Sequence, residues 1–457
     1  MAESFKTFNP ATGVQINEFT YISNSELENK LASSAIAYSD WKTRSVKKRT
    51  DFLKKAAEVL EKNKSKYAQM MTVEMGKPCL QSEAEIEKCA WVCRYYAENA
   101  VEFMRDSEIK SDFSKSYVTY KALGTILAIM PWNFPFWQVF RFAAPNLAAG
   151  NTAVLKHSSN TAGSAIMLEE VFTEAGFPPN VFQNLIISNE DTSKVIADDR
   201  IAGVTFTGSN RVGSIIAEQA GKYLKKTVLE LGGSDAYIVL EDADIDKAAE
   251  ICVTGRMINS GQSCIAAKRF IVDAAVVKEF TEKVVENMKK YELGDPMSCS
   301  VNLGPMARED LRETIDQQVK SSIDKGAELL LGGKSPDRKG YFYEATVLGN
   351  VQPGMTCFDE EVFGPVACIS TFHTEAEAIE LANRSKFGLG SAVFTKDISR
   401  GERIAKEHLE AGSSFVNDFV KSDPRLPFGG VKQSGYGREL SLIGMREFMN
   451  QKTVCIK

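Results

Sequence analysis

The 457-residue sequence predicts an α/β protein of two lobes, the first built on a doubly wound parallel sheet. Three observations carry this. Short apolar strands alternate with helical segments from Thr152 onward. A second series of the same kind begins near Asp246. The first hundred residues carry mostly helical periodicity instead. A chain of this length has room for two or three lobes, each with its own core.

The elements follow in order. VKKRTDFLKKAAEVLEKN, Val46 to Asn63, places apolar residues at helical spacing, and the pattern continues through Met70 and again from Gln81 to Arg105. SYVTYK, Ser116 to Lys121, alternates like a strand that pairs with the C-terminal KTVCIK, Lys452 to Lys457, or with another chain. TAVLK, FQNLIIS and GVTFTGS (Thr152–Lys156, Phe182–Ser188, Gly203–Ser209) read as strands. A helix from Thr161 to Ala175, stopped by Gly176 and Pro178, separates the first two. The helix RVGSIIAEQAGKYLKK and the strands TVLELGG and AYIVL follow. The second series includes a helix over Val277–Lys290, a strand over Val366–Phe372 and a helix over Glu375–Asn383. No linker or repeat marks the boundary between lobes.

Composition excludes several function classes. The net charge of −5, without a run of five or six like charges, argues against a nucleic-acid partner. The most apolar stretch, Ala122 to Phe142, is interrupted by Pro131, Asn133, Pro135 and Arg141, so no membrane span is expected. The N-terminus MAESFKTFNPATG has the character of neither a signal nor a transit peptide. Nine scattered cysteines without a CxxC pair indicate neither a disulfide framework nor a zinc site, and a reducing cytoplasm is the expected home. With only three histidines, His157, His373 and His408, neither a Cys–His dyad nor a metal centre is expected.

Five segments are candidates for chemistry. Gly208 and Ser209 lie at a strand-to-helix turn, where free N–H groups suit a phosphate, although an ordinary tight turn looks the same. In PWNFPFWQVFR, a helix after Pro135 puts Trp137 and Arg141 on one face with Asn133 at its entrance. An amide and a guanidinium there suit a ligand with a carbonyl at one end and a carboxylate at the other. The pattern alone favours a core helix with an ion-paired arginine. Glu230, at an apolar strand end before two glycines, has the desolvation of a general base. A structural glutamate paired to a lysine fits equally. In INSGQSC, Cys264 is a nucleophile or one more buried thiol. The loops EEVFGPV and LPFGGVKQSGYGREL prove nothing singly.

In order, PWNFP, LK, FTGS, LELGG, GQSC, EEVFGPV and PFGGVKQSGYGRE resemble the NAD(P)-dependent aldehyde dehydrogenase superfamily, from Phe5 to the C-terminus. The resemblance implies an α/β fold of that type. A modified Rossmann cofactor domain would span 1–105 and 123–233, and an α/β catalytic domain 234–431. A β-strand oligomerisation arm, 106–122 and 432–457, would serve a homodimer or homotetramer. It implies Cys264 as nucleophile, Asn133 and the Cys264 N–H as oxyanion donors, and Glu230 as the base that activates water and helps to deprotonate Cys264. The implied cofactor contacts are Trp132, Lys156, Ser159, Gly208, Ser209, Glu361 and Phe363. NAD-preferring members commonly carry a glutamate where this chain has Ser159, so NADP is expected as the preferred cofactor, with NAD possible.

VKSDPRLPFGGVKQSGYGREL and FWQVFR most resemble succinate-semialdehyde dehydrogenases of bacterial type. That implies Arg141 and Ser422 as ligands of the substrate carboxylate and Trp137 and Phe419 as apolar walls. Ala266 stands where some members carry a second cysteine, so no local redox switch is expected. The alternatives are the same chemistry on glutaric semialdehyde, lactaldehyde or an aromatic aldehyde, a thiol hydrolase, or a non-catalytic protein on this scaffold.

Overall fold

The computed structural model describes residues 3–457. Its first large sheet has the strand order Gly435–Tyr436, Lys226–Glu230, Ile201–Thr207, Thr125–Met130, Thr152–His157, Phe182–Asn184. All pairings are parallel except that of Gly435–Tyr436. The strand order reverses between Thr125–Met130 and Ile201–Thr207, so a crevice opens beyond Met130 and Thr207. Thr125–Met130, TILAIM, is buried at every position, as suits a strand covered on both faces. Sequence reading did not identify this strand, because a short continuous apolar run has no period to recognise.

The second sheet runs Glu328–Leu331, Thr346–Gly349, Val366–Phe372, Ala267–Asp273, Asp235–Val239, Gly390–Phe394, Ser413–Val416. It is parallel apart from the edge strand Glu328–Leu331. The chain passes from one large sheet to the other between Glu230 and Asp235. Met449–Ile456, Lys115–Ala122 and Ser107–Glu108 form a separate antiparallel sheet, with Lys452 opposite Thr119.

One expectation is corrected. The strand expected over Phe182–Ser188 covers only Phe182–Asn184. The chain then turns, Ile187 N donating to Leu185 O, to begin the helix Asn189–Ala197. Within the segment 432–457, Gly435–Tyr436 pairs with Tyr436 opposite Leu229 and extends the first sheet. The strand of the separate sheet begins at Met449.

The helices before residue 104 support the crevice. Asn24–Trp41 starts with a reciprocal cap: Ser23 Oγ accepts from Glu26 N at 3.2 Å, and Ser23 N donates to the Glu26 carboxylate at 2.8 Å. Val46–Lys62 buries Leu53, Ala56, Ala57 and Leu60, a helical stripe that packs on the helix Cys79–Phe103. Within Cys79–Phe103, buried Glu85 accepts from Phe136 N and Trp137 N, both at 2.9 Å. Its carboxylate caps the helix Trp137–Ala149, which has no side-chain cap of its own, and sits where the dipole favours negative charge. Lys77 completes that ion pair.

Candidate active site

The residues before Cys264 form a left-handed turn: Asn259, Ser260 and Gly261 have φ of 55°, 54° and 75°. Such backbone persists only where its surroundings hold it. Asn259 Nδ2 donates to Asn133 O at 2.8 Å and to Gln262 O at 3.1 Å. Buried Arg256 donates from Nη2 to the carbonyls of Gly261 (2.8 Å), Val362 (3.1 Å) and Gly364. On the far side of the cysteine, buried Lys268 donates to Ser263 O at 2.9 Å and Cys264 O at 2.7 Å, and faces Glu361 at 3.6 Å. Position 261 accepts only glycine, since a Cβ would lie 2.2 Å from Gly364 O. Gly261→Ala is therefore expected to cost about 1–3 kcal/mol in backbone strain before the clash is counted. A thermal melt checks this, and an unchanged Tm would show that the turn is not under this constraint.

The two glycines after Leu231 serve packing. A Cβ on Gly232 would meet Glu361 Oε2 at 2.4 Å, and one on Gly233 would meet Cys264 O at 2.6 Å. ELGG therefore lets the cysteine loop and the Glu361 loop close on the end of the first sheet. Gly233 N donates to Glu361 Oε1 at 3.0 Å.

Asn133 and Cys264 line one cleft of about 670 Å³. Asn133 Nδ2 donates to Gln262 O at 3.1 Å, which uses one of its two hydrogens and leaves the other for an oxyanion. Burial pushes the Cys264 thiol up to about 12; Arg141 and Lys268 pull it down, while Glu361 and Glu230 push it up. The resting cysteine is thus a thiol that requires a base. Glu230 ends the strand Lys226–Glu230 opposite Thr207, is buried, and has no hydrogen-bond partner on either carboxylate oxygen among the described residues. Burial raises it well above the usual carboxylate range, helped by Glu439 and opposed by Arg141 and Arg438. No histidine is needed for the role. His157 is buried, its ring nitrogens meet Pro135 O and Thr161 Oγ1, and burial holds it down at about 4.

Six of the seven expected cofactor residues line the cleft: Trp132, Lys156, Gly208, Ser209, Glu361 and Phe363. Trp132 and Phe363 meet edge to face at 5.8 Å. Ser209 caps the helix Asn210–Lys222, whose N-terminal N–H groups open on the cleft. Ser159 lies apart, in an adjoining hollow of about 80 Å³ that shares Lys156, Ser158 and Asn189 with the cleft. Lys156 donates to Asn189 at 3.3 Å. The described residues lining the cleft include the cations Lys156, Arg211 and Arg308 and a single acid, Glu361. That donor set fits a dinucleotide with a polyphosphate. Among the described residues no three His, Cys, Asp or Glu side chains group as metal ligands.

None of the four expected substrate residues is among those lining the cleft, and two of them, Trp137 and Arg141, belong to the helix Trp137–Ala149. Arg141 is buried, ion-paired with Glu439 and stacked 4.7 Å from the Phe428 ring. Ser422 is buried and accepts from Lys88 Nζ at 2.8 Å. Trp137 lies under the same ammonium at 4.3 Å. Phe419 is half-buried and packs against the core of the second lobe.

Lys88, Arg256, Lys268 and Glu439 were not found from sequence. Lys88 sits in SEAEIEKCAW, where alternating charges look like a solvated helix face. Arg256 and Lys268 flank GQSC, and that proximity was the one available signal.

An aldehyde dehydrogenase family model matches residues 1–454. A protein of Synechocystis named a probable succinate-semialdehyde dehydrogenase [NADP(+)] is 46% identical over 450 residues, covering 98% of this chain and 99% of its own. A succinate semialdehyde dehydrogenase [NAD(P)+] of Escherichia coli is 45% identical over 98% of this chain and 97% of its own. The crystal structure of succinic semialdehyde dehydrogenase from Streptococcus pyogenes with NADP+ superposes with a TM-score of 0.97 at 39% identity, covering 99% of both chains. The match of motifs, cleft and whole-chain fold places this chain in the aldehyde dehydrogenase family.

Proposed function

We propose that the protein oxidises succinic semialdehyde to succinate, with NADP as the preferred cofactor and NAD as a possible one. The observation that carries this is the meeting of Cys264 and Asn133 in a cleft whose donors suit a dinucleotide. Relatives at 44–46% identity that are named for this substrate support it.

Cys264 gives its proton to Glu230, directly or through water, and its sulfur bonds to the aldehyde carbon. The carbonyl oxygen takes up negative charge, which Asn133 Nδ2 and the Cys264 N–H stabilise. A nicotinamide held in the cleft would supply the acceptor for a hydride from that carbon, and loss of the hydride leaves a thioester on Cys264. Glu230 releases the cysteine proton to solvent and, ionised again, takes a proton from water as the water attacks the thioester carbon. The C–S bond breaks with its electron pair going to sulfur, the acid departs, and Glu230 returns the proton taken from water to that sulfur, which restores both the thiol and the carboxylate.

Lys156, Gly208, Ser209, Glu361, Trp132 and Phe363 would hold the cofactor, with Ser159 and Lys156 beside the adenosine ribose. Ser159→Glu would set a carboxylate near a 2′-phosphate. It is expected to shift the ratio of kcat/KM for NADP over NAD by on the order of 10- to 100-fold toward NAD. Steady-state kinetics with both cofactors measure this, and an unmoved ratio removes Ser159 from the explanation.

A second reading, the same chemistry on an aldehyde without a carboxylate, is favoured by one observation. Arg141 is already paired with Glu439. Turnover across semialdehydes and uncharged aldehydes decides between them. We further propose a homo-oligomer, since the exposed strand Met449–Ile456 pairs with Lys115–Ala122 on one side only and leaves an edge for another chain. No helix among the described residues is long and apolar enough to cross a membrane. Nine cysteines held as thiols suit a reducing, cytoplasmic compartment.

A further inference from the structure

We infer that Lys88 is a specificity residue of the aldehyde site, its ammonium acting with the Ser422 hydroxyl as the receptor for the distal carboxylate of the substrate. The inference rests on the substrate reading above and names the group that selects for charge. Lys88 projects from the helix Cys79–Phe103, the same helix whose Glu85 caps the start of Trp137–Ala149. Its Nζ reaches Ser422 Oγ at 2.8 Å and stands 4.3 Å from the Trp137 ring. Trp137 is four residues beyond Asn133, the expected oxyanion donor. The ammonium, the hydroxyl and the indole thus converge at the first turn of the helix Trp137–Ala149, which the chain enters directly after Asn133.

Lys88 also lacks a partner anion. Among the described residues no carboxylate comes within ion-pairing distance of its Nζ, although its neighbours are charged. Asp423 is held by Arg425, with Arg425 Nε donating at 2.8 Å. Glu85 is held by Lys77 and two backbone N–H groups. The charge of Arg141 is met by Glu439. Burial, followed by the repulsion of Arg141, lowers the Lys88 ammonium to about 8. A desolvated cation with a hydroxyl at hydrogen-bond distance and no counter-ion is a site for an anion. Its three N–H donors allow it to keep Ser422 and still bind a carboxylate. Trp137 supplies an apolar face for the methylenes between that carboxylate and the aldehyde.

The test compares succinic semialdehyde with butanal, which has the same chain length and no carboxylate. Lys88→Met keeps the stem and removes the charge. It is expected to raise KM for succinic semialdehyde roughly 10- to 100-fold, leave kcat within about two-fold, and leave KM for butanal unchanged or lower. Lys88→Arg, which restores a cation, is expected to recover part of the loss. Lys88 is half-buried and has no counter-ion among the described residues, so removing its charge should not lower Tm, and a thermal melt and the butanal rate together control for folding. A purely structural role would move both aldehydes alike. If the unaltered enzyme favours the semialdehyde and Lys88→Met keeps the same preference, this assignment is overturned and the substrate reading stands. If the unaltered enzyme itself turns over butanal better, the substrate reading falls and this assignment with it.

Discussion

Cys264→Ser is expected to lower kcat for aldehyde oxidation roughly 10⁴-fold or more, in line with loss of a covalent nucleophile. Serine preserves the shape of the loop that Arg256 and Lys268 hold, so Tm and NADP binding, followed by quenching of Trp132 fluorescence, should be unchanged. A variant retaining a tenth of the activity would remove Cys264 from the chemistry. The unaltered enzyme offers a second measurement. With the thiol held at about 12, the thiolate fraction of the free enzyme is small at neutral pH and grows about ten-fold for each pH unit below that value. The rate of Cys264 alkylation by iodoacetamide should climb in the same way between pH 7 and 10. A plateau near pH 8 would show that the free enzyme already holds a thiolate.

Glu230→Gln is expected to lower steady-state turnover by roughly 10²- to 10⁴-fold, the usual range for a lost general base. One equivalent of reduced nicotinamide per site should still form in a slowed first turnover, because solvent can take the Cys264 proton in place of Glu230 while thioester hydrolysis is the step that most needs the base. Stopped-flow absorbance separates the burst from the steady state. Unchanged turnover would exclude Glu230 as the base, and a loss without a burst would place it before thioester formation. The pH profile carries a second signature. A carboxylate raised by burial gains its basic form only as pH climbs past the ordinary carboxylate range. The acidic limb of kcat in the unaltered enzyme should therefore lie above the ordinary carboxylate range and disappear in Glu230→Gln.

Parts of the molecule were legible because their signals are local. The helices Val46–Lys62 and Glu375–Asn383 follow the apolar spacing of their residues, and the pairing of the Ser116 segment with the C-terminus follows strand alternation. Thr125–Met130 was not legible, since a six-residue apolar run lacks a period. The short edge strand Phe182–Asn184 was overextended, because the apolar side chains continue past the last paired residue. Gly435–Tyr436 escaped for a different reason. Two residues carry no pattern, and their strand exists only because Lys226–Glu230 offers an edge.

The site divides in the same way. Cysteine, asparagine, glutamate and the glycines around them were visible in the sequence, because each chemistry needs a residue type and each turn needs a small one. Their motif order was enough to fix the reaction class as an expectation. What only the tertiary structure decided is which charges meet. It brings Arg141 to Glu439, sets Glu230 in a buried place without a hydrogen-bond partner among the described residues, and lays Lys88 against Ser422 and Trp137. The physical reason is that desolvation and Coulomb attraction depend on distance through space, and Lys88 and Ser422 are 334 residues apart along the chain.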